Sequence, residues 1–221
     1  MKYLIHACES RLWYVNEYLI PSMLEQDIPK KEIIVYVDTG KKGNLQSFVD
    51  SLELCEDKGG MWHLQDDVIL SRIFSRDTKL YKNSKNIVCG FCSLYDHNLG
   101  HGTVNTKKMW YSFPCIYIPN SYAKQFYDWY KSTNKLPAWV DMYVRHKKGD
   151  DTLFRYYAED INPQIEAINH YPNLVDHVDW LIGGSLVNKT RNQKQVRATY
   201  FYDNDLVEKL KETLNNSLYQ G

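Results

Sequence analysis

The sequence has no net charge: 27 Lys and Arg balance 27 Asp and Glu. A dedicated duplex binder carries a basic excess, so the balance argues against nucleic acid as a partner. Long apolar runs are also missing. None approaches the roughly 20 residues of a membrane span, and the opening MKYLIHACE is broken by His6 and Glu9. It reads as a first strand rather than a leader, which predicts a cytoplasmic protein with no membrane span. Low-complexity tracts, internal repeats and linkers rich in Pro, Gly or Ser are absent, so residues 1–221 are expected to form one domain. Cysteine is scarce and odd in number, at five (Cys8, Cys55, Cys89, Cys92, Cys115), which predicts free thiols. Cys89-Gly-Phe-Cys92 has dithiol spacing, but it closes a strand instead of opening a helix. With His97 and His101 it is too tight for the usual zinc-finger loop.

What remains is a globular composition, 43% hydrophobic and 24% charged, with strand and helix patterns in alternation. KYLIHA is an apolar run. Ser10 is placed to cap a helix with Leu12, Val15, Leu19 and Met23 on one face, and Pro21 is expected to kink or shorten it. EIIVYVD follows as a continuous apolar strand, GKKGN as a loop, then a helix through Phe48 and Leu52, and then MWHL as a third strand. This order predicts a parallel sheet with right-handed crossovers. Further on, NIVCGF and FPCIYIP read as strands and NSYAKQFYDWY as a helix. DTLFRYYA reads as a short helix, and DLVEKLKETLNNSL as a last helix with a leucine stripe.

Two adjacent acids, Asp66 and Asp67, interrupt the apolar text of HLQDDVILSRIF. Burying a carboxylate is costly unless it is paired or bound to metal. At the exit of the third strand the pair needs no burial, and it joins Asp38, which ends the second strand at the same sheet edge; ligands of parallel sheets bind beyond that edge. An acidic pair there suits a hard cation with positions left open for phosphate oxygens. It suits equally a solvated turn or an N-cap for VILSRIF. A second pair, Asp150-Asp151, opens the DTLFRYYA helix, where capping and the helix dipole favour acids with or without a catalytic role.

Four stretches together, ACESR, YVDTGKKGN, HLQDDVILS and GDDTLFRYYA with YPNLVDHVD, resemble the GT-A-fold nucleotide-diphospho-sugar glycosyltransferases. The resemblance is one of pattern and spans most of the chain. It implies a three-layer α/β/α sandwich with a Rossmann-like N-terminal half and a mixed central sheet. Residues 1–100 would bind the nucleotide-sugar, and residues 101–221 the acceptor. The family's D-x-D motif is spelled Gln65-Asp66-Asp67 here, with glutamine in the first acidic position. By resemblance, Asp67 and His177 hold Mn2+ or Mg2+, while Arg11, Asp38, Lys42 and Asp66 face the nucleotide. Asp151, or its neighbour Asp150, is the general base of an inverting transfer from a UDP-sugar to a hydroxyl acceptor. Trp110, Tyr111 and Trp139 would stack on acceptor sugars, and Gly183-Gly184-Ser185 would form a mobile loop near the donor. Acidic strand ends on nucleotide-binding sheets also serve nucleotidyltransferases and sugar-nucleotide hydrolases. The glutamine leaves open a degenerate transferase that only binds a glycan or a partner.

Overall fold

The computed structural model describes residues 1–54, 59–91, 102–104, 113–145, 149–163, 167–178, 182 and 212. Among them the strands are β1 (Lys2–Cys8), β2 (Ile33–Asp38), β3 (Met61–Gln65), β4 (Val68–Leu70), β5 (Ile87–Cys89), β6 (Gly102–Val104), β7 (Cys115–Ile118), β8 (Ala167–Asn169) and β9 (Val175–His177). The α-helical stretches are α1 (Leu12–Tyr14), α2 (Ile20–Glu25), α3 (Asn44–Leu52), α4 (Phe74–Leu80), α5 (Asn120–Ser132), α6 (Ala138–Arg145) and α7 (Asp150–Tyr156).

Seven strands form one mixed sheet in the order β2-β1-β3-β7-β5-β8-β6. The expected parallel core is present: β1 runs parallel to β2 on one side and to β3 on the other. Beyond it β7 is antiparallel to both β3 and β5, β8 returns parallel to β5, and β6 closes the sheet antiparallel to β8. Side chains alternate across a strand, so each strand feeds two cores. Tyr3, Ile5, Trp62, Leu64 and Val88 pack with Tyr14, Val15, Leu19, Met23 and Phe74 on one face. Leu4, Met61, Ile87, Ile116 and Ile118 pack with Phe48, Phe126, Val140 and Phe154 on the other. The helical segment 9–25 and α4 thus cover one face, and α3, α5, α6 and α7 cover the opposite one. No helix among the described residues is long and apolar enough to cross a membrane. Cys8, Cys89 and Cys115 are unbridged thiols.

The strand after the acidic pair departs from expectation. VILSRIF does not begin a helix: β4 comes first and pairs antiparallel with β9 in a separate two-stranded ladder. Three β-branched or apolar residues here find an open partner edge, and helix begins only at Phe74. Ser10 does not cap either. It lies inside a 3-10 turn (Glu9–Arg11) that has no side-chain cap. Pro21 sits in the first turn of α2, directly after a π turn (Val15–Leu19), where its missing N–H breaks no regular ladder. The leucines of the last stripe, the Gly183–Ser185 loop, Trp110, Tyr111, Cys55, Cys92, His97 and His101 lie outside the described residues.

Candidate functional site

The ladder of β3 ends at Gln65, whose N–H donates to the Pro114 carbonyl at 3.2 Å. Asp66 and Asp67 form the turn into β4. Contrary to the expectation that a strand exit spares them burial, Asp66 is 6% and Asp67 7% exposed. The reason is Arg11, itself 6% exposed, which reaches up from the first helical turns. Its Nη1 donates to Asp66 Oδ1 at 2.9 Å and to Asp67 Oδ2 at 2.8 Å. Asp66 Oδ2 also accepts the Cys8 N–H at 2.8 Å, so the carboxylate supplies the N-terminal partner that Ser10 does not. A buried charge is tolerable when paired and hydrogen-bonded, and here one guanidinium serves two carboxylates.

The two acids are not equivalent. Burial and the neighbouring Asp67 charge push the Asp66 carboxyl up, against the pull of Arg11. Burial opposes ionisation of Asp67 too, but His177 and Arg11 outweigh it and hold its carboxyl well below the usual range. His177 arrives through the small ladder, in which Val68 pairs with His177 and the Val178 N–H donates to the Asp67 carbonyl at 2.8 Å. The Phe91 ring stands edge-on to the imidazole at 5.4 Å.

His177 Nδ1 and Asp67 Oδ1 lie 3.3 Å apart. Both atoms are buried, and the contact is an ion pair when the imidazole is protonated. With the imidazole neutral, the pair would offer two adjacent ligand atoms to a cation. Neighbouring ligands at about 2.1 Å on an octahedral ion are about 3.0 Å apart. A carboxylate oxygen with an imidazole nitrogen suits Mn2+ or Mg2+. No group of three or more His, Cys, Asp or Glu gathers among the described residues. An ion held by this pair would keep most of its positions open.

The other expected residues are placed as follows. Asp38 is at the same sheet edge, in register with Cys8. Its carboxylate accepts the Lys42 and Gly43 N–H groups at 3.0 and 3.1 Å, so it organises the GKKGN turn. Partial burial raises the Asp38 carboxyl, but this donation, led by Lys42, brings it below its usual value. The Lys42 ammonium turns to Asp50 on α3 at 2.7 Å. Of the second acidic pair, Asp151 Oδ1 accepts the Thr152 N–H at 2.6 Å. Asp150 is 5% exposed, and its Oδ2 has no hydrogen-bond partner among the described residues. Burial, then the Asp151 charge, pushes it up to about 7. One turn further on, Phe154 packs edge-on against Phe113 at 5.4 Å. Phe113 immediately precedes Pro114, whose carbonyl accepts the Gln65 N–H. Trp139 is 49% exposed and meets Tyr156 edge-on.

Sequence reasoning missed two groups. His63 is fully buried and His6 lies 5.7 Å from it, ring to ring. Burial lowers them to about 3 and about 4. Both sit inside apolar strand text, and only their position below the site, on the Phe48 side of the sheet, distinguishes them. The second group is Asp77, Tyr81 and His170, described below. No protein-family model matches the chain, and no curated protein matches its sequence.

Proposed function

We propose that the chain is a GT-A-type glycosyltransferase that moves a sugar from a UDP-sugar to a hydroxyl acceptor with inversion. The observation that carries this reading is the pair Asp67 Oδ1 and His177 Nδ1, buried and 3.3 Å apart at the edge of a mixed α/β sheet. That pair would hold Mn2+ or Mg2+ against the donor diphosphate. When bound, the cation neutralises the charge that develops on the leaving diphosphate. Arg11 fixes both carboxylates and keeps Asp67 ionised. Asp66 steadies the first helical turn beside the ribose, and Asp38 shapes the GKKGN loop, with Lys42, around the nucleotide. The acceptor oxygen bonds to C1 as the bond from C1 to the diphosphate oxygen breaks. The acceptor proton passes to an ionised carboxylate at the head of α7. Asp150 takes this role ahead of Asp151, because a base that titrates near 7 is matched to neutral pH. Trp139 offers an exposed ring to the acceptor sugar.

The test is product analysis with a panel of UDP-sugars, Mn2+ and hydroxyl acceptors. The expected products are UDP and a glycosylated acceptor. Pyrophosphate would identify a nucleotidyltransferase, and sugar released to water without acceptor would identify a hydrolase. Arg11 favours one second reading: a guanidinium that already neutralises both acids suits a module that binds a nucleotide or glycan without turnover. That module would bind UDP but release no product.

A further inference from the structure

The chain between β8 and β9 turns from the main sheet to the small ladder that carries His177. Its backbone is tied at three points: the His170 N–H to the Cys89 carbonyl at 3.0 Å, the Leu174 N–H to the Gly90 carbonyl at 2.7 Å, and the Ser71 N–H to the Leu174 carbonyl at 2.9 Å. Side chains add a clamp. His170 is 3% exposed, its Nδ1 is 2.9 Å from the Tyr81 hydroxyl, and its Nε2 is 3.2 Å from Asp77 Oδ2. Asp77 is 7% exposed, and its other oxygen accepts Arg76 Nε at 2.5 Å. The Tyr81 ring meets His170 edge-on and is itself set edge-on against Trp62 of β3. A carboxylate offers no proton, so the Nε2 facing Asp77 carries the hydrogen and Nδ1 accepts from Tyr81. Both nitrogens of His170 are thus turned to α4 and its C-terminal end, Nδ1 in a hydrogen bond with Tyr81 and Nε2 as the ion-pair neighbour of Asp77.

We propose that His170 is a positioning residue: clamped between Asp77 and Tyr81, it fixes the β8–β9 turn and so sets the place of His177 opposite Asp67. The clamp links α4 to the β8–β9 turn that leads into the far strand of the small ladder, while the near strand β4 precedes α4 in the chain. Displacement of a supporting group by about 1 Å is enough to weaken a site held by so few ligands. The role of His177 as a ligand rests on the function proposed above; the clamp itself does not.

Two variants test it. His170→Ala removes the clamp, and Tyr81→Phe removes only the hydroxyl while keeping the ring packing, in case the first fails to fold. Two quantities are read. In metal-free protein, amide hydrogen exchange at Leu174 and Val178 should rise about tenfold in either variant, with β1 amides unchanged. With Mn2+, the gain in UDP affinity over metal-free protein should fall about tenfold while metal-free UDP affinity stays within twofold. His170→Gln, which keeps one donor and one acceptor, should recover part of both. Faster exchange at β9 supports the clamp even if the wild-type protein shows no Mn2+ effect, an outcome that removes the metal site alone. Unchanged exchange at Leu174 and Val178 in Tyr81→Phe and in folded His170→Ala overturns the proposal, whatever the metal does.

Discussion

Replacing Arg11 with methionine is expected to destabilise the fold by about 3–5 kcal/mol at pH 7.5, the range for removing one member of a buried charge cluster. The side chain is 7% exposed and bonds to two carboxylates that are 9% and 11% exposed. Methionine fills much of the same volume, so packing accounts for little of the loss. The dominant cost is two like charges left together with only His177 beside Asp67. Two controls identify that cause. Asp66 is already pushed up by burial and by Asp67, so it is the acid that will protonate when Arg11 is gone, and the loss should shrink toward pH 4. Adding Asp66→Asn to the variant should restore more than 1 kcal/mol, a coupling that independent sites do not show. Urea denaturation across pH reads all three values. A loss below 1 kcal/mol, independent of pH, would mean that the cluster does not sustain the turn.

Asp150→Asn should do the opposite above neutrality. The Asp150 carboxyl is raised from 3.8 to about 7 by burial and by Asp151. A raised acid contributes its stability below the unfolded value of 3.8 and loses it as pH climbs through 7. At pH 8.5 the ionised group is therefore a liability on the order of 4 kcal/mol, and an amide of the same shape removes it. The variant should exceed the wild type in stability at pH 8.5 and match it near pH 4. His6 and His63 act in the other sense, because their lowered values, about 4 and about 3, cost stability as pH falls below 6.5. Both proteins carry them, so the difference curve isolates Asp150. The same substitution should abolish sugar transfer, the trade expected where a strained group serves function. Greater stability with full activity would remove Asp150 from the reaction and return the base to Asp151.

The parallel core was legible because β1, β2 and β3 are continuous apolar runs ended by turn residues, a text that few other structures write. The strand ends followed from it, and Asp38, Asp66 and Asp67 do share one edge. The burial of the acidic pair was not legible. It depends on Arg11, fifty-five positions away from Asp66, and no local pattern reports a contact at that range. The β4–β9 ladder was hidden for a related reason: three-residue strands carry no periodicity. The difference within the second pair was not legible because capping chemistry makes neighbouring aspartates look alike, whereas packing buries only Asp150. His170 directly precedes the YPNLVDHVD segment, yet only the fold reveals Asp77 and Tyr81 around it.

The account turns on whether Asp67 and His177 act together on a divalent cation. Calorimetric titration of UDP, with and without Mn2+, into the wild-type protein and into Asp67→Ala and His177→Ala measures this directly. The account predicts that Mn2+ strengthens UDP binding at least tenfold in the wild type and has no effect in either variant. Metal-dependent binding that survives in Asp67→Ala, or a wild-type protein indifferent to Mn2+, would contradict it.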